Sequence, residues 1–357
     1  MKAERFYLGA SLIFILLMSL GGGLIITKTG YPSGSDINLH LRLAEGWLKG
    51  EAPLFNQAYF NNNYPYPPAF HLTLAFFSFL FFTSPLAVVK VFQVFLYPAI
   101  FLSTFYLVYR KAGIYAGAVT VLLLATSPAL WDRGSQIIPQ AVDLFVFPVA
   151  AYLFLQKKNG LFILAASFMF YNHSVYAALP LFSLFLYSLI YEKERLGVFL
   201  KILLLSLPLI IVIGAHLEAI LAESTSINEE QEGAVLEEPL FAIKYLGYPL
   251  FFLLFTVPIH LLFKKADNLN VLLILWILSL SPMGIYFPDR FLQYLAQPAS
   301  ALGAIAIADI VPHEKRRLAL FLMLLIFALA VQHNLFTTVV QNGEVLMPLN
   351  NLSPFVI

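Results

Sequence analysis

Polar side chains that could do chemistry are scarce in this sequence, and they fall at five places. Asp36 and His40 are four residues apart, so on a helix a carboxylate and an imidazole share one face. That pairing suits acid–base work on a reacting hydroxyl. Tyr64 stands in the run Asn61-Asn62-Asn63-Tyr64-Pro65-Tyr66-Pro67-Pro68. Asp132 and Arg133 are adjacent, with Gln140 and Asp143 close behind. His173 sits between Asn172 and Ser174 in a polar break separating two apolar runs. Asp289-Arg290 precedes Gln293, Tyr294 and Gln297. The planar fork of an arginine, charged at every working pH, suits phosphate oxygens.

The candidate catalytic groups are therefore Asp36, His40 and Asp143. The candidate binding groups are Arg290, Asp132, Arg133, Gln140, His173, Tyr64 and Gln293. Asp36, Asp143 and His173 are also the candidate ligands for a divalent metal, Mg or Mn, although their spacing is not diagnostic. Each has an ordinary structural reading as well. Asp36 follows Ser33-Gly34-Ser35 and suits a helix N-cap. Asp132 suits an ion pair with Arg133, Asp143 a hydrogen bond to a neighbouring helix, and Arg290 an interfacial anchor.

The chain that must position these groups has 357 residues, 60% hydrophobic and 11% charged. A soluble domain carries about a quarter charged residues, so this chain lacks the makings of a polar shell. A net charge of +1, with no basic stripe, argues against a nucleic-acid partner. The absence of cysteine excludes disulfides, thiolate metal sites and cysteine nucleophiles. The run from Phe6 to Ile26 follows Lys2 and Arg5 and is longer than a signal-peptide core, which reads as an uncleaved first span with its N-terminus in the cytoplasm.

Apolar segments recur at 6–27, 67–83, 85–109, 113–131, 138–156, 160–172, 174–191, 197–220, 245–263, 269–287, 291–311 and 317–340. If all of them crossed, Arg110-Lys111, Lys157-Lys158, Lys193/Arg195, Lys264-Lys265 and Lys315-Arg316-Arg317 would all lie outside, against the positive-inside rule. If 67–83 instead lies on the membrane, every one of those groups moves to the cytoplasmic side. That segment is short and opens on Pro67-Pro68, as an interfacial helix would.

The expected fold class is all-α. It is a polytopic membrane protein with about 11 transmembrane helices plus two membrane-lying helices in the first outer loop, 28–84. The first of these two helices is expected to run from Asp36 to Lys49, stop at Gly50 and carry an apolar stripe of Leu39, Leu43 and Trp47. Residues 1–340 form a single transmembrane domain in this reading, and 341–357 a short outer tail. Asp36, His40, Asp132, Arg133, His173, Asp289 and Arg290 then gather on the outer face, as they would around a site. The loop 221–243, rich in glutamate, reads as solvated.

Four features in order resemble the GT-C superfamily of membrane glycosyltransferases, which use polyprenyl-phosphate-linked sugars. They are Ser35-Asp36 with His40 and Ala44-Glu45-Gly46 after the first span; Tyr64-Pro65-Tyr66-Pro67-Pro68-Ala69-Phe70 before an interfacial segment; Ser127-Pro128 through Asp132-Arg133 to Asp143; and the Arg-Phe-Leu-x-Tyr-x-x-x-Pro run from Arg290 to Pro298. The resemblance covers roughly 6–311 and also implies two membrane-lying helices in the first outer loop. It implies sugar transfer on the outer face of the cell membrane, with Asp36 as general base or acceptor-positioning group and Arg290 on the lipid-linked phosphate. It implies a second acidic residue, Asp132 or Asp143, that helps bind metal or acceptor. The sequence departs from better-known members in its lone first-loop carboxylate, in ending soon after its last span, and in lacking a Trp-Trp-Asp motif. The departures motivate a second reading, a non-catalytic lipid-binding subunit of an envelope complex with a membrane protein partner. A transporter ranks lowest, because its charges would lie near the midplane.

Overall fold

A computed structural model of the chain describes residues 4–16, 37–51, 67–130, 137–215, 267–286 and 288–324, together with positions 246, 247, 249, 250, 253 and 257. Among the described residues there are helices and no strands, as backbone embedded in lipid requires. In chain order the principal helices are α1 (4–16), α2 (Ile37–Lys49), α3 (Ala69–Leu80), α4 (Pro85–Ala112), α5 (Ile114–Leu124), α6 (Pro139–Leu155), α7 (Asn159–Tyr191), α8 (Leu196–Ala215), α9 (Asn268–Tyr286), α10 (Pro288–Ile310) and α11 (316–324).

Two stretches, Pro85–Ala112 and Lys193–Val212, are each long and apolar enough to cross a bilayer, and the apolar pair Leu292–Ile310 and His313–Leu324 meets at a bend of 117°. Prolines lie inside α4, α6, α7, α8, α9 and α10. Membrane helices tolerate them because neighbouring groups re-satisfy the freed carbonyls.

The chain forms two compact units. Unit 1 holds Met1–Ser33, Gln93–Gln136 and Ala242–Ile357; unit 2 holds Gly34–Phe92 and Ile137–Phe241. In unit 1, α10 packs on α9 and on α5. Gly117 of α5 lies so close to α4 that a Cβ there would come within 3.0 Å of the Phe105 ring. At one end of the unit the Tyr7 ring meets the edge of Tyr115, and the Arg316 guanidinium lies 5.1 Å from the centre of the same Tyr115 ring. Arg316 also donates to the Ala308 and Val311 carbonyls, capping α10. The start of α1 and the Lys315-Arg316-Arg317 group therefore share one end of this unit, next to the α4–α5 corner that carries Arg110-Lys111.

In unit 2, α2 and α3 pack on each other, and α7 packs on both α6 and α8. The helix α2 ends as its sequence suggests, with Gly50 at φ 71° after Lys49. Along the expected apolar stripe, Leu43 is buried while Leu39 and Trp47 are half-buried. The 12 residues of α3 reach roughly 18 Å at 1.5 Å each, well short of a ~30 Å hydrocarbon core. One face of α3 buries Phe70, His71, Leu74, Ala75 and Ser78, while Phe76, Phe79 and Leu80 are exposed on the other side.

The 33 residues of α7 are interrupted at His173, whose φ −157° and ψ 94° are extended rather than helical. A straight helix of that length would hold its ends roughly 50 Å apart. Instead, Arg195, just past the end of α7, donates to Oδ1 of Asn159 at its start over 2.9 Å. The chain therefore doubles back at His173, and α7 is a hairpin of two arms. Phe162 of the first arm and Phe185 of the second both pack edge-on against Phe199 of α8.

The open end of that hairpin, away from His173, is basic. Arg195 is buried, donates to Glu192 over 2.6 Å and lies 3.8 Å from the centre of the Phe154 ring, while Lys157 pairs with Glu192 at 3.8 Å. Replacing a buried, hydrogen-bonded cation leaves its partners uncompensated. Arg195→Met should therefore cost about 3 kcal/mol of stability. Arg195→Lys should recover only part of it, because an ammonium lacks the fork that bridges Glu192 and Asn159. Equal thermal stability of wild type and Arg195→Met in detergent would contradict this clamp.

Candidate functional site

The opposite end of unit 2 is where its buried polar groups collect. The α6 helix starts with Ile138 in an extended conformation (φ −133°, ψ 160°) and Pro139 in the first turn, a position that suits proline's fixed φ. One turn on, Gln140 and Asp143 point toward the reversal of α7. Asn172, fully buried, donates one amide proton to the Pro139 carbonyl over 2.7 Å and the other to Oδ1 of Asp143 over 2.8 Å. Asp143 is also fully buried, and among the described residues its Oδ2 has no hydrogen-bond partner. Gln140 Nε2 lies 3.4 Å from His173 Nε2, and the His173 ring packs edge-on against Tyr176.

The helices α2 and α3 bring a second pair to this end. His40 of α2 and His71 of α3 are both buried, with His40 Nδ1 2.8 Å from His71 Nε2. Phe70 packs edge-on against both rings. Burial holds the His40 imidazolium well below its ordinary pKa, and the neighbouring His71 and then His173 push it further down. His71 is lowered to about 3, chiefly by burial and partly offset by a hydrogen bond to the Pro67 backbone. His40 also feels His173 electrostatically, which links the two groups into one polar cluster: His40, His71, Asp143 and Asn172 are buried, and Gln140 and His173 are half-buried.

Four of the residues singled out from sequence, His40, Gln140, Asp143 and His173, are thus brought together. Gln293 is buried in unit 1 on α10, one turn from Gln297, which donates to Thr104 Oγ1 over 3.0 Å. Asp36, Tyr64, Asp132 and Arg133 lie outside the described residues, as do the side chain of Arg290, the loop 221–243 and the tail 341–357. His71 and the bridging role of Asn172 escaped the sequence reading. The signal for His71 was its place as the one ionisable residue of α3, on the buried i, i+3, i+4, i+7 face with Leu74, Ala75 and Ser78.

Among the described residues no three His, Asp or Glu side chains gather as ligands of one metal ion. One nitrogen of each ring in the His40–His71 pair is already taken by the other, and Asp143 Oδ1 is taken by Asn172. The described donors alone do not make a Mg or Mn site, which calls for several oxygen ligands.

The neutral histidines link stability to pH. Unfolded, each has a pKa near 6.5; folded, His71 binds its proton only near pH 3. The unfolded chain therefore binds more protons below pH 6.5, and stability falls as pH falls through that window. For His71 the loss by pH 5 is roughly 2 kcal/mol, a drop in melting temperature that fluorimetry in detergent would register and that His71→Phe should remove. Constant stability from pH 7 to pH 5 in the wild type would rule out a buried neutral pair.

No family model matches the chain, and no curated protein sequence does. Among solved structures, it is similar to ArnT from Cupriavidus metallidurans, crystallised bound to undecaprenyl phosphate, with a TM-score of 0.58 and 14% identity. The match covers 94% of this chain and 64% of that one, so the chain spans under two thirds of ArnT's length. The chain thus shares the fold of ArnT, and its described residues form helices and no strands.

Proposed function

We propose that this protein is an integral membrane glycosyltransferase that moves a sugar from a polyprenyl-phosphate carrier to an acceptor hydroxyl. The observation that carries the reading is the polar cluster of His40, His71, Gln140, Asp143, Asn172 and His173, with His40, His71, Asp143 and Asn172 buried, in a chain whose fold resembles that of a protein crystallised with undecaprenyl phosphate. Buried ionisable groups in a membrane protein are costly, and they mark function more often than packing.

In this proposal the cluster faces the outside of the cell membrane and the N-terminus lies in the cytoplasm. Arg290 holds the lipid-linked phosphate with its bidentate fork, aided by Arg133 and Gln293. Asp36 accepts the proton of the acceptor hydroxyl. The acceptor oxygen bonds to the anomeric carbon as the bond from that carbon to the phosphate oxygen breaks, and the lipid phosphate leaves with the electron pair. His40, Gln140, His173, Tyr64 and Asp132 orient the acceptor. Asp143, held by Asn172, acts as a positioning group at the base of the cluster.

The test is transfer in proteoliposomes from a panel of radiolabelled undecaprenyl-phosphate sugars. Removing a charge that acts in the transition state typically costs 10²–10³ in rate. Asp36→Ala and Arg290→Ala should each lower transfer about a hundredfold or more, with melting temperatures unchanged. Full activity in Asp36→Ala would sink the assignment.

A further inference from the structure

The helix α10 is enclosed along most of its length. Every residue from Leu292 to Ala306 is buried, and past Pro298 the helix is built largely of Ala299, Ser300, Ala301, Gly303, Ala304 and Ala306. Apolar burial is non-directional, and small side chains offer few ridges, so such packing fixes the rotation of a helix about its axis only weakly. Pro298 loosens the helix further, since its nitrogen donates no bond to the Tyr294 carbonyl. A directional contact sits just before it. Thr104 of α4 gives its one hydroxyl proton to the Ile100 carbonyl of its own helix over 3.0 Å, so toward α10 its oxygen only accepts. Gln297, fully buried, must then turn its amide nitrogen to Thr104, and Nε2 donates to Oγ1 over 3.0 Å.

We propose that the Gln297–Thr104 bond sets the rotation and depth of the arm of α10 before Pro298, and that both are positioning residues for Arg290. This rests on the glycosyl-transfer reading and adds to it what holds the phosphate-binding arginine in place. Pro288 to Ile310 is one helix, so Arg290 stands seven residues before Gln297, which is two turns and roughly 10 Å. An i, i+7 spacing returns to within about 20° of the same face. Gln293 lies on that face between them. A slip of α10 by one residue turns this face by about 100°. Burial of a helix of small residues barely registers such a slip, while the bond to Thr104 does not survive it. A lone polar side chain in an apolar helix seam is the best attested device for fixing register. Neither Gln297 nor Thr104 touches a reacting atom; both act through Arg290.

The test is binding of undecaprenyl phosphate to the full chain in nanodiscs, beside transfer kinetics in proteoliposomes. Thr104→Val removes the acceptor at nearly constant volume, and Thr104→Ser keeps it. Thr104→Val and Gln297→Leu should each weaken binding about tenfold and raise KM for the lipid donor alike, with kcat within about twofold. Thr104→Ser should hold both near the wild-type values. In an Arg290→Ala background, Thr104→Val should change binding no further, because the bond acts through that arginine. A loss of packing alone would instead lower the folded fraction, leave KM as it was and add to the effect of Arg290→Ala. Unchanged binding in a folded Thr104→Val overturns the proposal, and so does an additive loss in the double variant. If Gln297→Leu fails to fold, the two Thr104 variants still decide. A wild type that binds no undecaprenyl phosphate overturns the glycosyl-transfer reading and the proposal together. A wild type that binds it, with Thr104→Val unaffected, overturns the proposal alone.

Discussion

The polar end of unit 2 depends on where the two amide protons of Asn172 go. One reaches the Pro139 carbonyl and the other the Asp143 carboxylate, so a single side chain ties the reversal of α7 to the first turn of α6. In an apolar interior such a bond is costly to lose, because each freed group is left without water to replace it. With Asn172 fixed, His173 is fixed, and with it the approach of His173 to Gln140 and to the histidines of α2 and α3. The arrangement is built from the ends of four elements, none of which contributes more than two of the clustered side chains.

Charge separation gives each unit a polarity of its own. In unit 2 the clamp of Arg195, Glu192, Asn159 and Lys157 joins the two arms of the α7 hairpin at one end, and the polar cluster occupies the other. In unit 1 Arg316 caps α10 beside Tyr115 and Tyr7, while the polar bond from Gln297 to Thr104 lies inside the helix packing. Guanidinium groups sit where helix carbonyls run out, which is where a cation is favoured by the macrodipole.

Much of this was legible in the sequence, for local reasons. The limits of α2 follow from a polar start and from Gly50 after Lys49. The start of α3 follows from Pro67-Pro68. The reversal of α7 shows as Asn172-His173-Ser174 between apolar runs. What was not legible is tertiary. Nothing near Asn172 names Pro139 and Asp143 as its acceptors, about 30 residues upstream. A lone histidine in an apolar helix gives no sign that its partner is His40, 31 residues earlier. Gln297 and Thr104 are 193 residues apart, and no window of sequence contains both.

The hairpin form of α7 bears on how the chain enters the bilayer during synthesis. Its first arm, 159–172, is 14 residues long and reaches roughly 21 Å, short of a ~30 Å core. A translocating chain finds in it no self-sufficient stop, and its tip carries an asparagine and a histidine that are costly to leave in hydrocarbon. The second arm supplies the missing length, and α6 supplies the acceptors for Asn172. The two arms are therefore best admitted as a pair, after α6 is already in place, so the order of the helices along the chain is also the order in which their polar groups can be satisfied.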